Sequence, residues 1–139
     1  MATFNIGLVR GRHEMPVTNY VWDEIPDVLD FSGMEYHAMR FIGHLADEAI
    51  LAGKDEEVKV YGSGFAFPRC RIGAEPVELN LYVTGLTAAT VAVVNAAIRF
   101  NRDSLSTLSS QSISLTLYHF DRESGKYRPQ YCSIMPFRR

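Results

Sequence analysis

The sequence is poor in cysteine. Cys70 and Cys132 are the only two among 139 residues, and they stand in unrelated contexts. They form no metal-ligand spacing and are compatible with free thiols in a reducing cytoplasm. No apolar run approaches the ~20 residues that a bilayer requires. The most apolar stretch, Leu86 to Ile98, is too short to span one. The first residues do not set a basic segment before an apolar one, so a secretory signal is not expected, and the chain reads as cytoplasmic. Charge of one sign is also missing. A formal net charge of −2 leaves no global basic field of the kind that coats nucleic acid. There is no P-loop, G-x-S-x-G, H-E-x-x-H or G-x-G-x-x-G motif, and no nucleophile–base–acid set can be read from spacing. Hence no cofactor, no metal, no long nucleic acid and no membrane partner is expected. What is present is an ordinary folded-domain composition, 47% hydrophobic and 22% charged, in a length that suits one core.

The chain is organised around Leu79-Asn-Leu-Tyr-Val-Thr-Gly-Leu-Thr87. Leu, Tyr and Val suit a strand, Thr84-Gly85 ends it, and Thr87 opens an apolar helix running to about Arg99. Asn-Arg-Asp and the Ser/Thr-rich residues up to Gln111 read as a surface connection. Ile113 to His119 reads as the next strand. Strand, helix and strand form a βαβ unit, whose helix N-terminus lies at the carboxyl edge of the sheet. Free N–H groups and the helix dipole attract anions there, phosphate above all. The expected fold is a small single α/β domain with a βαβ (Rossmann-like) core. Gly125 marks the turn of a C-terminal β-hairpin that returns through Tyr127 to Ile134.

Phe4 to Val9 reads as a first strand that empties into Arg10-Gly11-Arg12-His13. Arginine forks match phosphate or carboxylate bidentately, and Gly11 lets a ligand approach the backbone. A solvated basic turn is the alternative. A second short strand is expected near Tyr20 to Trp22, with a turn at Pro26. A helix capped by Asp30 or Ser32 follows, with Met34, Ala38, Phe41, Ile42, Leu45 and Ala49 on one face and Gly53 at its end. His37 and His44, seven residues apart, are too far apart for a compact ligand pair. Val58 to Tyr61 suits a strand before Gly62-Ser-Gly64, a weak phosphate-cradle signal. Phe65 and Phe67 suit a core or interface better than base stacking. Asn95 is the one amide within the apolar helix, and either a backbone group or a ligand or dimer mate would satisfy it.

Arg10, Arg12, His13, Thr84, Gly85, Thr87, His119 and Arg122 together offer what a phosphate-bearing ligand needs. His13 and His119 also suit general acid–base cleavage of a phosphodiester, although a sheet-edge histidine is more often a donor or packing residue. Leu-Tyr-Val-Thr84-Gly-Leu-Thr87 is similar to the strand–Thr-Gly-Gly-Thr–helix element of CRISPR-associated Rossmann-like sensors of cyclic oligoadenylates. It departs from that element at Leu86 and in lacking a lysine after Thr87. Gly7 to Pro16, Val83 to Thr90 and Leu115 to Arg122 together resemble the small phage-encoded Thoeris anti-defence sponges, with residues 103–112 as an insertion. That resemblance implies sequestration, without degradation, of a cyclic nucleotide signal of the cyclised ADP-ribose type. The implied pockets lie at a homo-oligomer interface, a dimer or higher, in the infected cell's cytoplasm. The alternatives are a phosphodiesterase and a protein-interaction module with no small-molecule ligand.

Overall fold

A computed structural model describes residues 2–12, 14–53, 76–106 and 111–134. His13, Cys70, the strand expected over 58–61, the Gly62–Gly64 turn and Phe65 and Phe67 lie outside the described residues. The strands are β1 (Ala2–Val9), β2 (Asn19–Trp22), β3 (Val77–Tyr82), β4 (Ile113–Asp121) and β5 (Lys126–Cys132). They form one sheet in the order β2-β1-β3-β4-β5. β1 runs parallel to β2 and β3, and β3 parallel to β4; β5 returns antiparallel to β4 as the expected hairpin, with Gly125 at φ 71°. The helices are α1 (Phe31–Gly53) and α2 (Thr87–Ser106).

The period-two pattern of the strands sorts their side chains onto two different faces. Ile6, Leu8, Leu79, Leu81, Leu115 and Leu117 turn one way and are buried beneath both helices. Met34, Ala38, Ile42 and Leu45 of α1 meet them, as do Ala89, Val93, Ala96 and Ala97 of α2. The small residues of α2 let its backbone approach the sheet and α1 closely. Each fully buried leucine contributes about 1.5–3 kcal/mol. The chain enters α1 through an Asx turn, in which Asp27 Oδ1 accepts the Leu29 N–H at 2.9 Å. Asp30, not Ser32, then caps the helix, Oδ1 accepting the Gly33 N–H at 3.0 Å. His37 stacks on Trp22 at 5.1 Å, and its Nε2–H donates to the Val21 carbonyl at 2.6 Å. His44 is exposed.

One expected boundary moves. α2 does not end near Arg99 but continues to Ser106. The polar composition of 99–103 suits a surface connection, but these residues belong to the helix because Asn101 is not a loop residue. It is 2% exposed and faces the core, where its amide mimics a strand neighbour. Oδ1 accepts the Ile113 N–H at 2.8 Å, and Nδ2 donates to the Ile113 carbonyl at 2.9 Å. Arg99 meanwhile pairs across to Glu35 of α1 at 3.0 Å.

The other face carries Asn5, Gly7, Asn80, Tyr82, Thr116 and Tyr118, and it receives the β1–β2 connection. A Cβ on Gly7 would lie 2.5 Å from Tyr20 Cε2 and 3.0 Å from Met15 Sδ, so the loop can rest there only over glycine. β1 to β2 therefore steps one way across the open face, while β3-α2-β4 steps the other way across the aliphatic face. Reversing both direction and face preserves the hand of the crossover. The strand order thus reverses between β1 and β3, and their following loops leave toward opposite faces.

Candidate functional site

In an open α/β sheet, the crevice outside the carboxyl ends at such a switch point is where ligands bind. The loops at this position are 10–12 after β1 and 83–86 after β3. Val83 keeps its loop attached to the sheet by donating its N–H to the Tyr118 carbonyl at 3.1 Å. Thr84 Oγ1 then accepts the Leu86 N–H at 3.4 Å. The Leu86 carbonyl accepts the first bond of α2, from the Thr90 N–H at 3.1 Å, which makes Leu86 the N-cap residue. A leucine side chain cannot cap. The N–H groups of Thr87, Ala88 and Ala89 have no acceptor among the described residues, and no acidic residue stands in the first turn. Gly85 is exposed, with open space where a Cβ would point.

Across the crevice, Arg10 turns toward β2. Its Nε lies 2.7 Å from Asp23 Oδ1 and its guanidinium stacks 4.7 Å above the Tyr20 ring. The hydrogen bond to Asp23 holds the Arg10 pKa above its ordinary value. Both partners are largely exposed, so the pair contributes little to stability. Arg12 is exposed on the same loop and forms no ion pair among the described residues. Arg10, Arg12, Thr84, Gly85 and Thr87 are therefore brought to one edge.

The remaining candidates are placed differently. His119 lies one residue beyond Tyr118, where it bonds Gln130 Oε1 of β5 at 2.7 Å. Arg122 is exposed in the hairpin turn, past Asp121 and so more than about 10 Å beyond the last β3–β4 pair, Tyr82↔Tyr118. That turn is ordered by Asp121, whose carboxylate accepts from Ser124 Oγ at 3.0 Å and from the Glu123 N–H at 3.1 Å. These bonds, with Arg128 at 3.3 Å, pull its pKa below the usual carboxylate value. Asn95 is not at the edge at all. It lies eight residues into α2, about 12 Å down the helix, and donates to Glu35 Oε2 at 3.4 Å. It lines a groove of about 240 Å³ between the outer faces of α1 and α2, with Phe31 and Val91.

Sequence reasoning missed the aromatic group beside the crevice. Tyr82 and Tyr118, neighbours on β3 and β4, stack at 4.8 Å. Tyr127 meets Tyr82 edge-on at 5.0 Å and Phe120 at 5.3 Å. The Tyr127 hydroxyl donates to the Glu14 carbonyl at 3.2 Å, which ties the hairpin to the arginine-bearing loop. Burial raises the Tyr82 and Tyr127 pKa values, and their tyrosine neighbours add to this. The signal was available, because Tyr82 alternates with Leu81 and Val83 and must face away from the helices. Protein-family models, curated proteins and solved structures gave no match to this chain.

Proposed function

We propose that this protein binds a small phosphate-bearing nucleotide at the carboxyl edge of its sheet and sequesters it without turnover. The sponge resemblance supplies the ligand class, a cyclised ADP-ribose signal, and the setting, the cytoplasm of an infected cell. The observation that carries the reading is the β1/β3 switch point, where the N-terminus of α2, whose first N–H groups meet no acceptor among the described residues, opens beside Thr84, Gly85 and the Arg12 loop. Backbone N–H groups and a helix dipole suit phosphate oxygens, and an exposed arginine adds a bidentate donor. Arg10 is already engaged by Asp23, so Arg12→Ala weakens binding more than Arg10→Ala does.

Holding a signal at nanomolar concentration takes about 12 kcal/mol. An open edge is a shallow site for that, and a second copy of the chain closing over it completes the reading. Leu29, Phe31 and Val91, at 72%, 59% and 49% exposure, surround the first turns of both helices and supply apolar surface for such a contact. The test is binding followed by recovery. Protein mixed with cyclic ADP-ribose isomers or cyclic oligonucleotides is separated, denatured and its released ligand analysed. Stoichiometric recovery of intact ligand supports sequestration. Shortened or linear products with turnover make the protein a phosphodiesterase and bring His119 and His13 forward. No depletion of any ligand rejects both and leaves an interaction module.

A further inference from the structure

An arginine serves a phosphate site only as well as its loop holds it there, and the loop after β1 is held at two points. At the near end the Arg10 N–H donates to the Trp22 carbonyl at 3.0 Å, which keeps Arg10 on the sheet. Gly11 then turns the chain at φ 83°, and Arg12 follows, exposed. At the far end the Glu14 carbonyl accepts the Tyr127 hydroxyl at 3.2 Å. Glu14 is two residues from Arg12, so this bond confines the Arg12 Cα to within about 7 Å of a tethered Cα. The tether is firm. Tyr127 sits in the β4–β5 ladder opposite Phe120, and its ring meets Tyr82 edge-on at 5.0 Å and Phe120 at 5.3 Å. Met15 also rests against Gly7, but through a flexible thioether that fixes no direction. The hydroxyl is the directional tie.

We propose that Tyr127 is a positioning residue of the nucleotide site: its hydroxyl, reaching across from the C-terminal hairpin, holds the loop that keeps Arg12 at the edge shared with the N-terminus of α2. This rests on the nucleotide-binding reading above. Tyr127 touches no ligand and acts through Arg12. A loop ordered before the ligand arrives loses less freedom on binding, and that difference appears as affinity.

The test removes the hydroxyl and keeps the ring. Cyclic ADP-ribose is titrated calorimetrically into the wild-type protein, Tyr127→Phe, Arg12→Ala and the double variant. Tyr131→Phe is the control, since Tyr131 is 79% exposed on the same strand. NMR relaxation gives the order parameters of the Gly11 and Arg12 amides in the ligand-free wild type and Tyr127→Phe. The expected result is that Tyr127→Phe lowers both order parameters and weakens binding about 5- to 30-fold, the cost of re-ordering one residue of backbone. In the Arg12→Ala background the same substitution has no further effect, and Tyr131→Phe binds as the wild type does. Unchanged affinity or unchanged order parameters in Tyr127→Phe overturns the positioning role and leaves the phosphate site standing. Equal weakening in both backgrounds shows that the hydroxyl supports the fold and does not act through Arg12, and the proposal is again overturned. If the wild-type protein does not bind cyclic ADP-ribose, the nucleotide-binding reading and the positioning role fall together.

Discussion

Replacing Asn101 by alanine isolates the device that closes the βαβ unit. Its side chain joins the far end of α2 to the first residue of β4 through the Ile113 N–H at 2.8 Å, the Ile113 carbonyl at 2.9 Å and the Ile134 carbonyl at 3.4 Å. Ile113 and Ile134 are 1% and 5% exposed, so water does not reach these groups easily when the amide is removed. A buried donor left without a partner costs about 1–3 kcal/mol, and two carbonyls that lose a donor bring the expected loss to roughly 3–5 kcal/mol. Unfolding entropy near 2.1 cal/mol/K per residue over 139 residues converts this to a fall of about 10–17 °C in Tm. Urea unfolding followed by circular dichroism reads the free energy, and a thermal melt reads the shift. Asn101→Asp provides a control with a definite sign. It keeps an acceptor for the Ile113 N–H but aims a carboxylate at two carbonyls, which raises the folded-state pKa of that carboxyl above its unfolded value. The penalty is then largest at neutral pH, where the carboxylate must be charged or take up a proton, and it shrinks as pH falls through the folded value. A loss below about 1 kcal/mol for Asn101→Ala, or an Asn101→Asp penalty that does not change with pH, refutes the reasoning.

Two further perturbations probe the open face. Gly7→Ala gains about 0.5–1 kcal/mol from reduced unfolded-state freedom but crowds Tyr20 and Met15, at an overpacking cost of about 1–3 kcal/mol, so net destabilisation is expected. In a double-mutant cycle, Tyr20→Ala should cancel most of that cost, whereas strict additivity would show that the loop does not rest on Gly7. The second is alkaline titration. Burial raises the Tyr82 and Tyr127 phenols above 10.0, so the folded state keeps protons that the unfolded state releases. Their contribution to stability is complete below the unfolded value and is lost as pH climbs through the folded ones. Phenolate absorbance should show a late-ionising component that Tyr82→Phe and Tyr127→Phe each reduce, with unfolding following; a titration that neither substitution alters contradicts the burial argument.

Local pattern made the centre of this fold legible and left its long-range packing hidden. The alternation from Val77 to Tyr82 and the small residues after Thr87 give β3 and the start of α2 directly, because each is a short-range periodicity. The same reasoning stopped the helix at Arg99, since a buried Asn101 differs from a loop asparagine only through Ile113, twelve residues away. The parallel step from β1 to β2 without a helix depends on Gly7, Met15 and Tyr20 meeting across the open face, which no local window shows. At the candidate site, Arg10, Arg12, Thr84, Gly85 and Thr87 come together because strand ends in a parallel sheet share an edge. Asn95 and Arg122 do not join them: one lies down the helix, and the other beyond an overhang whose length only the register fixes.

The most direct test of nucleotide binding at the switch point is amide chemical-shift mapping during titration with cyclic ADP-ribose. The account predicts that the largest shifts fall on Gly85, Thr87, Ala88 and Ala89, with Gly11 and Arg12 moving together with them. Saturation with no movement at the N-terminus of α2 would contradict it.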